Sequence, residues 1–255
     1  GTILHREELL QGIKQTEMRV TAERLQFQRT LLQSVSHELK TPLAAVQTGI
    51  EALRKQFGDV RSQETFLETQ QALRRLHRVI NNLLDMTRIE AGVIHPRLDW
   101  CDIGELVQAA KDLVVDATSQ NQVTTEAAEN LPIVKVDQAL LEQCLCNLLL
   151  NAASNSKTES KIMISAGVAR NVLTLSVLDE GKGIAEAELP NIFEAFHRGA
   201  DAAPGGTGLG LAIVDGFVKA HGGIVTAVNR RPHGAQIIIK IPVETLHPEL
   251  LEKFG

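Results

Sequence analysis

The sequence predicts an α+β protein of two domains, in which a helical hairpin forming a dimeric four-helix bundle is followed by an α/β sandwich. Apolar residues recur at intervals of three and four before residue 90, a pattern typical of amphipathic helices. Later, short β-branched runs alternate with helical segments, which indicates a sheet packed against helices. A chain of 255 residues also fits two ordinary domains better than one. We expect domains at 1–94 and 95–243, and a tail at 244–255 that carries no motif.

The first domain is predicted to be a pair of antiparallel helices. The first helix covers about residues 7–56, and Gly58 and Asp59 supply the break after it. The second helix carries a coiled-coil seam with steps of three, four and three, at Leu73, Leu76, Ile80 and Leu83. A single hairpin cannot bury both of its seams, so pairing with a second copy is the natural solution. We therefore expect a homodimer.

The helical pattern ends near Ala91, Gly92 and Pro96, where we place the domain boundary. Strands are predicted at 97–100, 123–127, 133–136, 161–169, 172–179, 224–229 and 236–241. Helices are predicted at 102–118, 137–155 and 207–220. The first two of these begin at Asp102 and Asp137, which suit an N-cap.

Composition excludes several classes of partner. A net charge of -5 gives no overall electrostatic attraction to nucleic acid or to an anionic membrane. The most apolar stretch, about residues 145–153, is too short to span a bilayer. Cys101, Cys144 and Cys146 are too few for a disulfide framework. We expect a fragment of the reducing cytoplasm that has no nucleic-acid partner and makes no membrane contact itself, and a membrane anchor in the full-length protein stays open.

His37 lies within the first predicted helix, followed by Glu38, Thr41 and Pro42. A neutral imidazole can attack a phosphoryl group, and an adjacent carboxylate can orient the ring and take up the released proton. Thr41 lies one turn along the same face and could position a water for the reverse hydrolysis. Pro42 removes a backbone hydrogen bond beside the reactive residue.

The alternative is that His37 is an ordinary solvated residue. We adopt that alternative for the histidines that lack an adjacent carboxylate together with a helix-kinking proline. These are predicted to be surface residues, at positions His5, His77, His95, His197, His233 and His247.

Asn147 and Asn151 lie one turn apart on a helix that is otherwise almost wholly apolar. Carboxamide oxygens suit a hard cation such as Mg²⁺, which keeps waters and phosphate oxygens as its other ligands. A pair of hydrogen-bonded asparagines within a core explains the same pattern. From this helix alone the two interpretations are equally open.

Asp179 ends a predicted strand and precedes Gly181 and Gly183. A buried carboxylate at a strand end can accept a hydrogen bond from an exocyclic amine, and glycines let a flat base approach the backbone. This arrangement describes an adenine pocket, although the same short motif also makes ordinary tight turns.

A second glycine-rich segment opens the last predicted helix, where backbone N–H groups can converge on phosphate. Its residues are Gly206, Thr207, Gly208, Leu209 and Gly210. The segment is not a Walker loop, because no Gly-Lys-Ser/Thr follows it. The preceding stretch is predicted to be a lid that is anchored by Phe193 and Phe196 and brings Arg198 near phosphate charge.

Taken in order, the His37, Asn147–Asn151, Asp179, Phe-rich and second glycine motifs resemble the five sequence boxes of sensor histidine kinases, over roughly residues 25–243. The resemblance implies a phosphoacceptor hairpin joined to an ATP-binding domain of the gyrase and chaperone type. It implies ATP and Mg²⁺ as ligands and the receiver domain of a response regulator as partner. The segment from Ala22 to Leu25, running into 31–42, is similar to potassium-responsive sensor kinases.

Under this resemblance, His37 is the phosphoacceptor and Asp179 the adenine-reading residue. Asn151 and Asn147 are the Mg²⁺ contacts. The triphosphate loop is formed by Gly206, Gly208 and Gly210.

Related ATPases carry a glutamate at the position of Asn147, and an amide cannot replace it as a base for water. Bound ATP is therefore expected to persist for transfer. Ser154 and Asn155 depart from the family's Lys and aromatic residue and could weaken ATP binding, with Lys157 or Lys182 compensating. A weakly binding signalling scaffold, or a sensor in which phosphatase activity dominates, is the alternative function.

Overall fold

A computed structural model describes residues 42, 45, 46, 48, 49, 60–127, 131–199 and 206–246. Contacts divide the chain into one unit that ends at Val79 and a second that begins at Ile80. The five described residues from 42 to 49 are helical, in agreement with the first predicted helix.

The second predicted helix is observed as α1, Val60–Glu90. It contains neither glycine nor proline, and it ends where Gly92 takes a positive φ of 66° and donates to the carbonyl of Ile89. Ala72, Val79 and Met86 are buried at heptad spacing, whereas Leu73 and Ile80 of the predicted seam are exposed.

The strands and helices after α1 form the sandwich that the sequence predicts. The strands are β1 Asp99–Cys101, β2 Gln122–Ala127, β3 Ile133–Val136, β4 Lys161–Ala169, β5 Val172–Asp179, β6 Ile224–Asn229, β7 Ala235–Pro242 and β8 Thr245–Leu246. The helices are α2 Ile103–Leu113, α3 Val115–Thr118, α4 Gln138–Asn155 and α5 Gly210–Ala220.

A five-stranded sheet in the order β2-β4-β5-β7-β6 is the base of the sandwich. All of its neighbours are antiparallel except β2 and β4, which run parallel. A small second sheet has the order β1-β3-β8. The buried face of the large sheet carries alternating apolar side chains, among them Ile162, Ile164, Leu173, Leu175, Ile237 and Ile239.

Helix α4 packs between α2 and α5 and against β5. Asp102 and Asp137 accept hydrogen bonds from the backbone N–H groups of Glu105 and Leu140, so both predicted N-caps are confirmed. His221 links the end of α5 to the start of α4. Its Nε2 accepts a hydrogen bond from the N–H of Asp137, and its Nδ1 lies 2.8 Å from the carbonyl oxygen of Phe217.

Several predicted boundaries differ from those observed. The helix predicted at 102–118 is interrupted at Val114, whose φ of -113° and ψ of 9° are not helical. The helix predicted from Thr207 begins only at Gly210, since Gly208 has a positive φ of 70°. In the predicted tail, Thr245 and Leu246 pair with β3 as a short strand.

The last turns of α1 belong to the second unit, where they contact two of its helices. Asp85 accepts a hydrogen bond from Gln143 of α4. Ile89 lies against Gly216 of α5 so closely that a Cβ at that glycine would fall 2.7 Å from the Ile89 side chain.

Across the residues that the structure describes, each helix is too short or too polar to traverse a lipid bilayer.

Candidate functional site

The proposed phosphoacceptor motif falls largely outside the described residues. His37, Glu38 and Thr41 are not among them. Pro42, next in sequence, is helical and buried. The roles given to the three preceding residues therefore stay predictions from the sequence.

Asp179 ends the central strand β5 and is only 6% exposed. Its Oδ1 accepts hydrogen bonds from the backbone N–H groups of Gly181, at 2.8 Å, and Ala235, at 3.1 Å. Two backbone donors on one oxygen fix the plane of the carboxylate. The orientation of Oδ2, the atom available to a ligand amine, is thereby fixed as well.

The turn after Asp179 needs glycine at two positions. A Cβ on Gly181 would lie 2.4 Å from the carbonyl oxygen of Asn155 and 2.9 Å from Asp179 Oδ1. Gly183 has a φ of 77°, which favours glycine. The side chain of Asn229 accepts from the N–H of Ile184 at 2.8 Å and donates to its carbonyl at 2.7 Å. The loop is thus held to β6 by a residue that the sequence analysis did not identify.

Four amide side chains follow one another at intervals of four along α4: Gln143, Asn147, Asn151 and Asn155. Spacing of four places them on one face of the helix. Asn155 Nδ2 donates to Asn151 Oδ1 at 3.1 Å and to the Asn151 carbonyl at 2.9 Å. Asn147 Nδ2 is buried without a hydrogen-bond partner. Asn155, which replaces the family's aromatic residue, therefore supports Asn151 rather than offering a stacking surface.

The second glycine segment forms the entry to α5. Gly208 has a φ of 70°, and a Cβ there would lie 2.7 Å from the carbonyl oxygen of His197. Thr207 Oγ1 accepts from the N–H of Leu209 at 3.2 Å. Leu209 is the N-cap residue, and its side chain makes no cap hydrogen bond. The helix begins next to α4, because a Cβ on Gly210 would lie 3.8 Å from Asn147 Oδ1.

The described part of the predicted lid, residues 193–199, contacts this glycine segment. Phe196 donates from its N–H to the carbonyl of Gly208 at 2.9 Å and has a positive φ of 65°. Phe193 and Phe196 are both partly buried, whereas Arg198 is exposed. Residues 200–205 lie outside the described part of the chain.

The expectation that His197 is a surface residue is wrong. The residue is partly buried, and its Nε2 is buried without a hydrogen-bond partner. Its burial follows from the contact of the Phe196–His197 backbone with Gly208. The sequence around His197 contains no pattern that predicts this contact. The surface assignment holds for His77, His95 and His233, which are all exposed.

Two clusters of predicted residues result. Asp179, Gly181, Asn151 and Asn155 meet where β5 ends beside the C-terminal turns of α4. Asn147, Gly208, Gly210 and Phe196 meet where α5 begins. Asn147 and Asn151 are one turn apart on α4 and connect the two clusters. A directional acceptor at one end and backbone donors of a helix N-terminus at the other suit a ligand with an amine and an anionic tail.

The residues present fit a magnesium nucleotide. The unpaired Asn147 Nδ2 is a donor, which a phosphate oxygen would satisfy, and carboxamide oxygens are ligands that suit Mg²⁺. Among the described residues, no group of three or more His, Cys, Asp or Glu side chains could hold a metal ion by itself. Asn147 and Asn151 would therefore supply protein oxygens, and phosphate and water the remaining ligands.

Thiol chemistry is disfavoured at Cys146 and Cys101. Burial raises the pKa of Cys146 to about 11, and nearby Glu142 acts in the same direction. The pKa of Cys101 is also raised to about 11, by burial and then by the neighbouring carboxylates Asp102, Glu105 and Glu142. At neutral pH both side chains are protonated thiols and weak nucleophiles.

Two family models match the chain. The His Kinase A (phospho-acceptor) domain matches residues 27–92, a span that includes His37, Glu38 and Thr41. The Histidine kinase-, DNA gyrase B-, and HSP90-like ATPase model matches residues 136–245, a span that includes both residue clusters.

Two sensor kinases are similar to most of this chain. Sensor protein KdpD of Escherichia coli is 34% identical over 249 residues, which are 96% of this chain and 28% of that protein. Sensor histidine kinase WalK of Bacillus subtilis is 31% identical over 228 residues, 85% of this chain and 37% of its own length. The chain thus spans between about a quarter and two fifths of these two relatives.

Solved structures agree with this arrangement. Full-length ShkA in complex with AMPPNP superposes with a TM-score of 0.64 at 26% identity, covering 83% of this chain and 45% of that one.

Proposed function

The chain belongs to the sensor histidine kinases, and we propose that it transfers the γ-phosphoryl group of ATP to His37 and from there to an aspartate of a response regulator. The observation that carries the proposal is the geometry of Asp179. Its carboxylate is buried at a strand end, with Oδ1 held by two backbone donors and Oδ2 left for the amine of adenine.

The phosphate chain is assigned to the second cluster. The N-terminus of α5 supplies backbone N–H groups through Gly208 and Gly210, and the helix dipole favours negative charge there. Mg²⁺, held by the amide oxygens of Asn147 and Asn151, would neutralise charge on the phosphate oxygens. Phe193, Phe196 and Arg198 belong to the lid over this site.

The transfer step needs a nucleophile and a proton acceptor. A neutral imidazole nitrogen of His37 forms a bond to the γ-phosphorus, the bond to the β–γ bridging oxygen breaks, and ADP leaves. The proton on the other nitrogen of the attacking imidazole passes to the carboxylate of Glu38. Thr41 positions a water that hydrolyses the phosphorylated regulator, which is the phosphatase activity.

The amide at position 147 favours transfer over hydrolysis. Asn147 occupies the position where related ATPases carry a general-base glutamate, and an amide cannot deprotonate water. Bound ATP therefore persists until His37 reaches it.

Dimerisation is part of the proposal. Leu73, Ile80 and Leu84 are 57%, 42% and 54% exposed along α1, an apolar surface of the kind that a second copy would cover. Sedimentation equilibrium at twice the chain mass would support the homodimer, and a monomer at all concentrations would contradict it. We place the reaction in the cytoplasm. The finer assignment to potassium-responsive sensor kinases stays a prediction.

Incubation with γ-labelled ATP and Mg²⁺ tests the function. We expect acid-labile label on the protein, lost in His37→Gln and retained in His77→Gln, which alters an exposed histidine of α1. The second candidate, a weakly binding scaffold, draws support from Asn155, because its amide already donates to Asn151 Oδ1. Absence of label on the wild-type protein would favour the scaffold and contradict the kinase.

A further inference from the structure

Two buried hydrogen-bonding groups near the start of α5 have no partner within the protein. They are Asn147 Nδ2 and His197 Nε2, and in the described residues Ser156 Oγ is the only other such side-chain atom. Buried polar groups in native folds are nearly always hydrogen-bonded. An exception therefore indicates a partner that the protein alone does not supply.

The backbone around His197 is held in an unfavourable conformation. Phe196, a bulky residue, has a φ of 65°, which L-residues other than glycine seldom adopt. Its N–H donates to the carbonyl of Gly208, and the absence of a side chain at Gly208 lets the carbonyl of His197 approach. Strain of this kind persists where surrounding contacts hold it, and it is concentrated at ligand-binding sites. Here the positive φ of Phe196 determines where the next residue, His197, is placed.

The residues that carry the two unpaired groups both lie beside the start of α5. Gly208 contacts the backbone of Phe196 and His197, whereas Gly210 is adjacent to the Asn147 side chain. Between them, α5 begins without a side-chain cap. The amide donor of Asn147, the imidazole nitrogen of His197, which donates in its Nε2–H tautomer, and a helix that begins without a side-chain cap suit an anion with several oxygens.

We propose that His197 binds the phosphate chain of the nucleotide, with the Nε2–H group donating a hydrogen bond to a phosphate oxygen. The inference rests on the proposed function and adds a binding residue that the sequence motifs do not mark. A hydrogen bond from His197 would connect the lid directly to the nucleotide, because His197 follows Phe196, whose N–H donates to the carbonyl of Gly208. The affinity for phosphate then depends on the lid being closed on the glycine segment.

The test is titration calorimetry of the full chain with ATP, ADP and adenosine. His197→Phe keeps a ring of similar size and removes the donor, and His197→Gln keeps an N–H group near the position of Nε2. His233→Phe is the matched control, since His233 is exposed in the same unit. Thermal unfolding without nucleotide checks that every variant folds.

We expect His197→Phe to weaken ATP and ADP binding roughly tenfold or more while adenosine affinity stays unchanged. His197→Gln should recover part of the loss, and His233→Phe should behave as wild type. An equal loss for all three ligands, or no loss, overturns the assignment of His197. If the wild-type chain binds neither ATP nor ADP, both the proposed function and the assignment of His197 fail.

Discussion

Asp85, near the end of α1, accepts a hydrogen bond from Gln143 of α4, which lies about one turn of helix before Asn147. Ile89, one turn further along α1, fills the space left by the missing side chain of Gly216 in α5. The helix that leads from the phosphoacceptor hairpin is therefore joined to both helices that carry the nucleotide motifs. Movement of the last turns of α1 away from α4 and α5 requires this contact to open.

Gln143→Ala should loosen the last turns of α1. A hydrogen bond to a charged group contributes about 1.5–3 kcal/mol, so local opening should rise by roughly tenfold or more. Amide hydrogen exchange over residues 85–92 measures the effect. Gln108→Ala is the matched control, because it removes another Gln–Asp side-chain bond, to Asp112, at an exposed position. Unchanged exchange over 85–92 would show that the contact does not hold the helix.

Gly208→Ala should abolish nucleotide binding. Its Cβ would meet the backbone of Phe196 and His197 at 2.7 Å, and its positive φ is unfavourable for alanine. Gly167→Ala is the control, since a Cβ there meets nothing within 4 Å and the residue lies in β4, outside both clusters. The measurement is the rise in melting temperature on adding ATP. Equal shifts for the two variants would contradict the tight approach of lid and glycine segment.

Asp179→Asn should weaken ATP binding while preserving the fold. An asparagine can still accept from the Gly181 and Ala235 N–H groups, but it places a donor where Oδ2 would face the adenine amine. Loss of a hydrogen bond to a charged group predicts a Kd about 10 to 150 times higher. Asp215→Asn alters an aspartate paired with Lys219 at the surface of α5 and should leave the Kd unchanged. A wild-type Kd in Asp179→Asn would remove the adenine assignment.

Cys146 should resist alkylation in the folded protein. With its pKa raised from 9.0 to about 11, its thiolate fraction at pH 8 is roughly a hundredfold lower than in the unfolded chain. The raised pKa favours folding below about pH 9, and this contribution is lost as pH rises towards 11. Iodoacetamide labelling followed by peptide mass analysis, with urea-unfolded protein as the control, measures the difference. Equal rates would contradict the burial of this thiol.

Local features were predictable from the sequence. Asp102 and Asp137 act as N-caps because the capped N–H groups are three residues away, within reach of pattern reasoning. The position of Asp179 was predictable for a related reason. It directly follows an apolar run in the sequence, so the strand prediction by itself puts its carboxylate at the end of β5. The start of α5 was misplaced because the positive φ of Gly208 depends on the lid packed against it.

Features that depend on distant contacts were missed. Asn229 holds Ile184 from 45 residues away, and neither position has a local pattern that predicts the pairing. The burial of His197 depends on Gly208, and the support of Asn151 by Asn155 depends on which rotamer the second amide adopts. Such relationships require the packed structure, because long-range neighbours and side-chain orientation leave no periodic signal in the sequence.

Locating the transferred phosphoryl group tests the central claim most directly. The full chain is incubated with Mg²⁺ and ATP, kept alkaline to preserve phosphohistidine, and mapped by tandem mass spectrometry. We expect the phosphoryl group on His37, and a much lower initial rate of its transfer in Asp179→Asn at ATP concentrations near the wild-type Kd. A phosphoryl group on another of the eight histidines, or steady release of phosphate with none on the chain, would contradict the account.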